Sequence, residues 1–154
     1  MHLSDYITEK LIINISGSPS KEEVLEIMVK YLFEKGFIKN PDDAFNALIE
    51  REKLGSTGLG NEIAIPHAKL DEIDDIIILI AISSEGIDFD AVDGKKVKII
   101  FLVLASSNKL NLHLKTLARI SRLIKSTDFK NRVLNESFDV KKILEILNEE
   151  EAKL

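Results

Sequence analysis

The sequence predicts a single α/β domain over residues 1–154: a central mixed parallel/antiparallel sheet of about five strands, flanked by helices on both faces. Three observations carry this prediction. Residues 75–83 and 97–105 are near-continuous β-branched and aliphatic runs, the mark of strands covered on both faces. Stretches with helical spacing of apolar residues lie before and after them. Between the two runs, Asp93-Gly94 is a turn signal of the kind that joins antiparallel strands, so the sheet is expected to be mixed.

In chain order, residues 3–15 join a polar-started turn at Ser4 and Asp5 to the apolar run Leu11-Ile12-Ile13, which reads as a short helix followed by a strand. Ser20 and Glu23 make a capping-box pair, and Val24, Ile27, Met28, Tyr31 and Leu32 then recur at helical spacing until Gly36 ends the helix. Asn40-Pro41 opens a second helix, with Ala44, Phe45, Leu48 and Ile49 on one face, which ends near Gly55 and Gly58. Residues 60–66 alternate weakly through Ile63 and Ile65 and stop at Pro66. Proline has no N–H for a sheet ladder and holds Ile65 extended, so His67 is expected at a stiff strand end. The Asp93-Gly94 turn is expected to join a short edge strand to the strand over 97–105. Beyond it, Leu110, Leu114, Leu117, Ile120 and Ile124 mark one helix, and residues 129–134 and 138–147 mark two more.

Composition narrows the function classes. A chain of 154 residues buries a core with neither disulfide nor metal, and 45% hydrophobic with 31% charged residues reads as folded rather than disordered. There is no cysteine, which excludes a disulfide framework, a thiolate zinc site and a cysteine nucleophile. The longest apolar run, 76–82, is far short of the roughly 20 residues that span a bilayer. Residues 1–20 lack a signal-peptide pattern, so a cytoplasmic location is expected. A net charge of −5 with no basic stripe argues against a nucleic-acid surface and accommodates a protein partner.

The stretch GSTGLGNEIAIPHAKL at 55–70 concentrates three glycines and a histidine. Gly55 and Gly60 have the spacing of a P-loop, but Asn61 and Glu62 stand where Lys and Ser or Thr are required. A dinucleotide fingerprint fails as well, because Ile63 occupies the third small position and the stretch follows a helix rather than a strand. His67 is the remaining chemistry. A neutral imidazole is a nucleophile able to hold a phosphoryl group as a phosphoramidate. Arg51, the hydroxyls of Ser56 and Thr57 and the amides of the glycine loop around Gly58 are the donors close by in sequence. His113 follows Leu110 by three and precedes Leu117 by four, placing it on or beside the apolar face of its helix. Both a satisfied core-edge histidine and a second imidazole at the site fit that position. Two histidines without a third ligand make a poor metal site, and no serine has a G-x-S-x-G setting.

Arg51-Glu52, GSTGLGNEIAIPHA at 55–68, GIDFDAVDGKKV at 86–97 and HLKTLARISRL at 113–123 together resemble the type-2 EIIA domains of the bacterial phosphoenolpyruvate-dependent phosphotransferase system. That family spans fructose, mannitol and nitrogen-regulatory branches. The resemblance implies that His67 accepts a phosphoryl group from phospho-HPr as a tele-phosphohistidine. His67 would then pass the group to a cysteine on the EIIB domain of a sugar permease, so that the membrane is involved only through that permease. It further implies that His113 orients the imidazole or bonds its phosphate, that Arg51 pairs with the phosphoryl group, and that Thr57 lies by the phosphate; Ser56 and Gly58 join it as phosphate-binding candidates from the loop itself. No cofactor is implied. His67-Ala68-Lys69, SSEGIDFDAVDG and HLKTLARISRL are most similar to fructose-type domains. The alternative is a nitrogen-regulatory EIIA whose phosphorylation state controls binding to regulatory protein targets. Glu62 stands where many members have Gly; it is expected to point outward, since facing the phosphate it would slow acceptance.

Overall fold

The structure is a computed structural model that describes residues 1–154. Two short 3-10 turns, Leu3–Asp5 and Glu9–Leu11, lead into strand β1 (Ile12–Asn14), in place of the single short helix expected there. Helix α1 (Lys21–Glu34) starts with the expected capping box: Ser20 Oγ accepts from the Glu23 amide and Glu23 accepts from the Ser20 amide. It ends where Gly36, at φ +82°, lets the Phe37 amide reach back to the Leu32 carbonyl. Helix α2 (Pro41–Lys53) is capped by the Asn40 side chain with Pro41 in its first turn.

Strands β5 (Ile76–Ile87) and β6 (Val97–Ser106) form the antiparallel centre of the sheet, Ile76 opposite Ala105 and Ile82 opposite Ile99. Successive strand residues face opposite sides, and both strands are buried almost without interruption, so helices cover both faces. On one side β1 pairs in parallel with β5. On the other side β6 carries two short parallel partners along one edge, β3 (Ile63–Ala64) and β4 (His67–Leu70). β2 (Gly58–Gly60) closes that edge antiparallel to β3. The sheet is therefore mixed, as expected.

Three local expectations are corrected. The segment over 60–66 is not one strand but the β2–β3 hairpin, turned at Asn61 and Glu62, both at positive φ (54° and 68°), the geometry that suits the twist of paired strands. His67 opens a strand instead of closing one. Pro66 accepts from the Val103 amide but has none to donate, so the ladder along β6 breaks there and resumes at His67 opposite Val103. The Asp93-Gly94 turn does not serve a separate edge strand. β5 itself continues to Ile87, opposite Val97, and the turn lies in the loop that joins the two central strands.

Helices α3 (Leu110–Ser126), α4 (Phe129–Leu134) and α5 (Val140–Glu151) complete the chain. Asp139 caps α5, so that helix starts two residues later than expected. The buried hydrophobic residues form one contiguous cluster running from Leu3 to Leu147. No helix is long and apolar enough to cross a membrane.

Candidate functional site

The break at Pro66 places His67 on the edge strand β4, between α2 and α3, at a cavity of about 520 Å³ lined also by Arg51, Lys69 and His113 and rimmed by Leu54, Leu110 and Leu114. The His67 Nδ1 lies 2.7 Å from the Ile65 carbonyl oxygen. A carbonyl only accepts, so Nδ1 carries the proton and Nε2 keeps the lone pair. The carbonyl on the far side of Pro66 thus fixes the imidazole tautomer. Burial holds the His67 pKa below the ordinary histidine value; the Ile65 carbonyl and the Glu52 carboxylate oppose that shift, and the Arg51 charge adds to it. At neutral pH the ring is a neutral nucleophile.

His113 meets His67 edge to face, ring centroids 5.5 Å apart and planes at 85°. It is 4% exposed and neither ring nitrogen has a hydrogen-bond partner in the protein. Burial, with the nearby His67 and Lys69, pushes its pKa down to about 4. A core-edge histidine satisfied by its own fold is therefore ruled out: this imidazole is desolvated and unpartnered beside the nucleophile. The buried stripe of α3 is His113, Thr116, Ile120 and Leu123. Leu110 and Leu114, which the apolar periodicity assigns to the core face, are instead half exposed at the cavity rim.

Arg51 reaches the cavity from the last turns of α2, its guanidinium donating to the Gly55 carbonyl at 2.9 Å. The neighbouring acids are engaged elsewhere, Glu50 with Lys53 and Glu52 with Lys21 at 2.8 Å, which leaves Arg51 without a carboxylate. Ser56, Thr57 and Gly58 are not brought to the cavity. Ser56 Oγ donates to the Phe89 carbonyl and accepts from the Gly58 amide, while the Thr57 amide and hydroxyl both donate to the buried Glu52 carboxylate. Gly58 is required for a different close approach: a Cβ there would lie 2.9 Å from the Ala91 backbone. These donors build the loop and leave none of the hydroxyls free for a ligand.

Two residues that the sequence motifs contain, but to which they assign no role, bear on this site. Glu52, beside Arg51, braces Thr57 against Lys21 and nothing in its spacing announced that contact. Lys69 lines the cavity, and strand parity could have found it, since residues two apart on a strand share a face. No three acidic or histidine side chains converge to hold a metal ion.

Glu62 points away from this cavity, to Lys98 at 3.3 Å and Lys130 at 3.7 Å. Its positive φ explains why glycine suits the position. Glu62→Gly relieves about 1 kcal/mol of backbone strain and gives up two part-exposed ion pairs of up to about 1 kcal/mol each. Urea denaturation is expected to shift by no more than about 1 kcal/mol, and the rate at which the His67 imidazole reacts as a nucleophile by less than about twofold. A large gain in rate on this substitution would mean that the carboxylate acts on the site.

Comparison with known proteins shows the family and the fold. The family model described as "Phosphoenolpyruvate-dependent sugar phosphotransferase system, EIIA 2" matches residues 5–150. The chain is 36% identical over 129 residues to a PTS system fructose-specific EIIA component of Haloferax volcanii, covering 83% of this chain and 84% of that protein. It is also 36% identical over 148 residues to a nitrogen regulatory protein of Bradyrhizobium diazoefficiens, covering 96% and 95%. The crystal structure of nitrogen regulatory protein IIA-Ntr from Neisseria meningitidis superposes with a TM-score of 0.83 at 27% identity, covering 94% of this chain and 98% of that one. With the matched family spanning nearly all of the sequence and the fold shared, the chain belongs to the EIIA type-2 family of the phosphoenolpyruvate-dependent sugar phosphotransferase system.

Proposed function

We propose that this chain acts as a phosphocarrier, with His67 Nε2 as the phosphoryl acceptor from phospho-HPr and the cysteine of a sugar-permease EIIB domain as the next acceptor, in fructose-type uptake. The observation that carries the reading is the commitment of His67 Nδ1 to the Ile65 carbonyl, which leaves Nε2 as the only nucleophilic nitrogen of a neutral ring at a cavity holding an unpaired arginine. In the first transfer the Nε2 lone pair forms the N–P bond while the bond from phosphorus to the donor breaks, its electron pair leaving with the donor. In the second, a thiolate forms the S–P bond and the N–P electron pair returns to Nε2. Charge on the equatorial oxygens in each transition state is met by Arg51 and by an N–H of His113. The half-exposed Leu110 and Leu114 and the exposed Leu54 form an apolar rim suited to seating both protein partners in turn.

The test is incubation with phosphoenolpyruvate, enzyme I and HPr, followed by mapping of acid-labile phosphate. Label on His67 supports the reading, and label on any other residue rejects it. A second reading, an EIIA that holds its phosphoryl group and binds regulatory proteins in one phosphorylation state, is favoured by the near full-length likeness to nitrogen regulatory proteins. Discharge of the labelled protein to a fructose EIIB domain within seconds selects the transport reading; label that no sugar EIIB removes selects the regulatory one.

A further inference from the structure

We propose that Lys69 is a second phosphoryl-binding cation, contacting the phosphoryl oxygens on His67 alongside Arg51. This rests on His67 being the phosphoryl acceptor, and it adds a residue to that chemistry.

Position is the first support. Lys69 lies two residues after His67 on β4, so both side chains leave the same face of an edge strand, about 7 Å apart along it. A lysine stem spans that distance easily, and Lys69 lines the cavity that holds His67, His113 and Arg51. Availability is the second. The Lys69 ammonium is exposed at the cavity and forms neither an ion pair nor a hydrogen bond within the protein, so it is free to meet an anion there. Charge balance is the third. His67 and His113 are both neutral in the resting site and the Glu50 carboxylate on the cavity wall is paired with Lys53, so a phosphoryl group brings nearly two negative charges to a cavity where Arg51 supplies one positive charge. Lys69 supplies the other. Its field already reaches the site, since it contributes to holding His113 in the neutral form. A compact, rotatable ammonium also suits a group that must be released to the next acceptor, where a fixed bidentate fork would hold it more tightly.

An exposed lysine beside an active site could instead serve only to attract partners, and the experiment separates the two roles by removing the partners. Wild type, Lys69→Met and Lys69→Arg are phosphorylated, freed of enzyme I and HPr, and followed by ³¹P NMR as pH is varied. A cation in contact with the phosphoryl oxygens favours their dianion, so Lys69→Met is expected to raise the phosphoryl pKa by at least about half a unit and Lys69→Arg to restore it. In the unphosphorylated protein, Lys69→Met is expected to raise the His113 pKa, which checks the placement of the charge without any transfer step. An unchanged phosphoryl titration in folded Lys69→Met overturns the proposal, even if transfer from HPr slows, because that pattern assigns Lys69 to docking. A wild type that takes label on a residue other than His67 overturns the phosphocarrier reading and this inference together.

Discussion

Replacing His67 with glutamine is expected to abolish phosphoryl acceptance, lowering incorporation of acid-labile phosphate by at least about 10⁴-fold, with the fold intact. The amide is close to imidazole in size and retains an N–H for the Ile65 carbonyl, which now receives the His67 Nδ1 proton at 2.7 Å. What it lacks is a basic nitrogen lone pair, so the comparison isolates nucleophilicity from packing. Thermal denaturation is expected to move by only a few degrees, because the side chain is half-buried at a strand edge and not a member of the core. The pH dependence of the wild type follows from the same geometry. Protonation of Nε2 removes the nucleophile, and burial holds the His67 pKa below 6.5, so acceptance is expected to be flat around neutrality. It should fall along a single acid limb whose midpoint lies below 6.5. A midpoint above that value, or labelling that survives His67→Gln, would remove His67 from the acceptor role.

The parts of this molecule that were legible in sequence are those where a repeating physical pattern spans several turns or strand pairs. The two central strands show as unbroken aliphatic runs because helices cover both of their faces, and α1 shows because cap, periodicity and terminating glycine coincide. The β2–β3 hairpin was not legible, because its turn places Glu62 at a φ of 68°. A glutamate gives no turn signal, and its carboxylate is held by Lys98 and Lys130, which lie far along the chain. The site divides in the same way. His67, Arg51 and His113 could be named because imidazole and guanidinium chemistry suits phosphoryl transfer, and the fold does converge them on one cavity. Ser56, Thr57 and Gly58 were grouped with them because nearness along the chain was taken for nearness in space. In the folded chain Glu52 and Phe89 claim those hydroxyls and Ala91 claims the glycine. On α3, Leu110 and Leu114 fit the helical period yet face outward, since the period fixes which residues share a face but not which way a mixed face turns.

His113→Ala is expected to slow phosphoryl transfer by about 10²–10³-fold while changing the stability of the unphosphorylated protein by no more than about 1–2 kcal/mol. The two halves of this expectation have one cause. In the resting protein the ring is 4% exposed with both nitrogens unpartnered. An unsatisfied buried polar group costs about 1–3 kcal/mol, and the cavity left by deleting the ring costs a similar amount, so the terms offset. Once phosphorus approaches His67, 5.5 Å away between ring centres, an N–H of His113 gains an anionic oxygen as acceptor. That bond exists only with the phosphoryl group present, so its loss falls on transfer and not on folding. Acid stability supplies an independent check. The folded pKa of His113 is depressed, to about 4 from 6.5. Its contribution is therefore fully present above pH 6.5 and is lost as pH falls from 6.5 through about 4, on the order of 3 kcal/mol in all. His113→Ala should remove that portion of the slope from urea denaturation measured at a series of pH values, leaving the variant as stable as wild type or more so near pH 4. If the variant instead loses stability equally at every pH and transfers at the wild-type rate, the ring is packing material and the phosphoryl oxygens find their donors elsewhere.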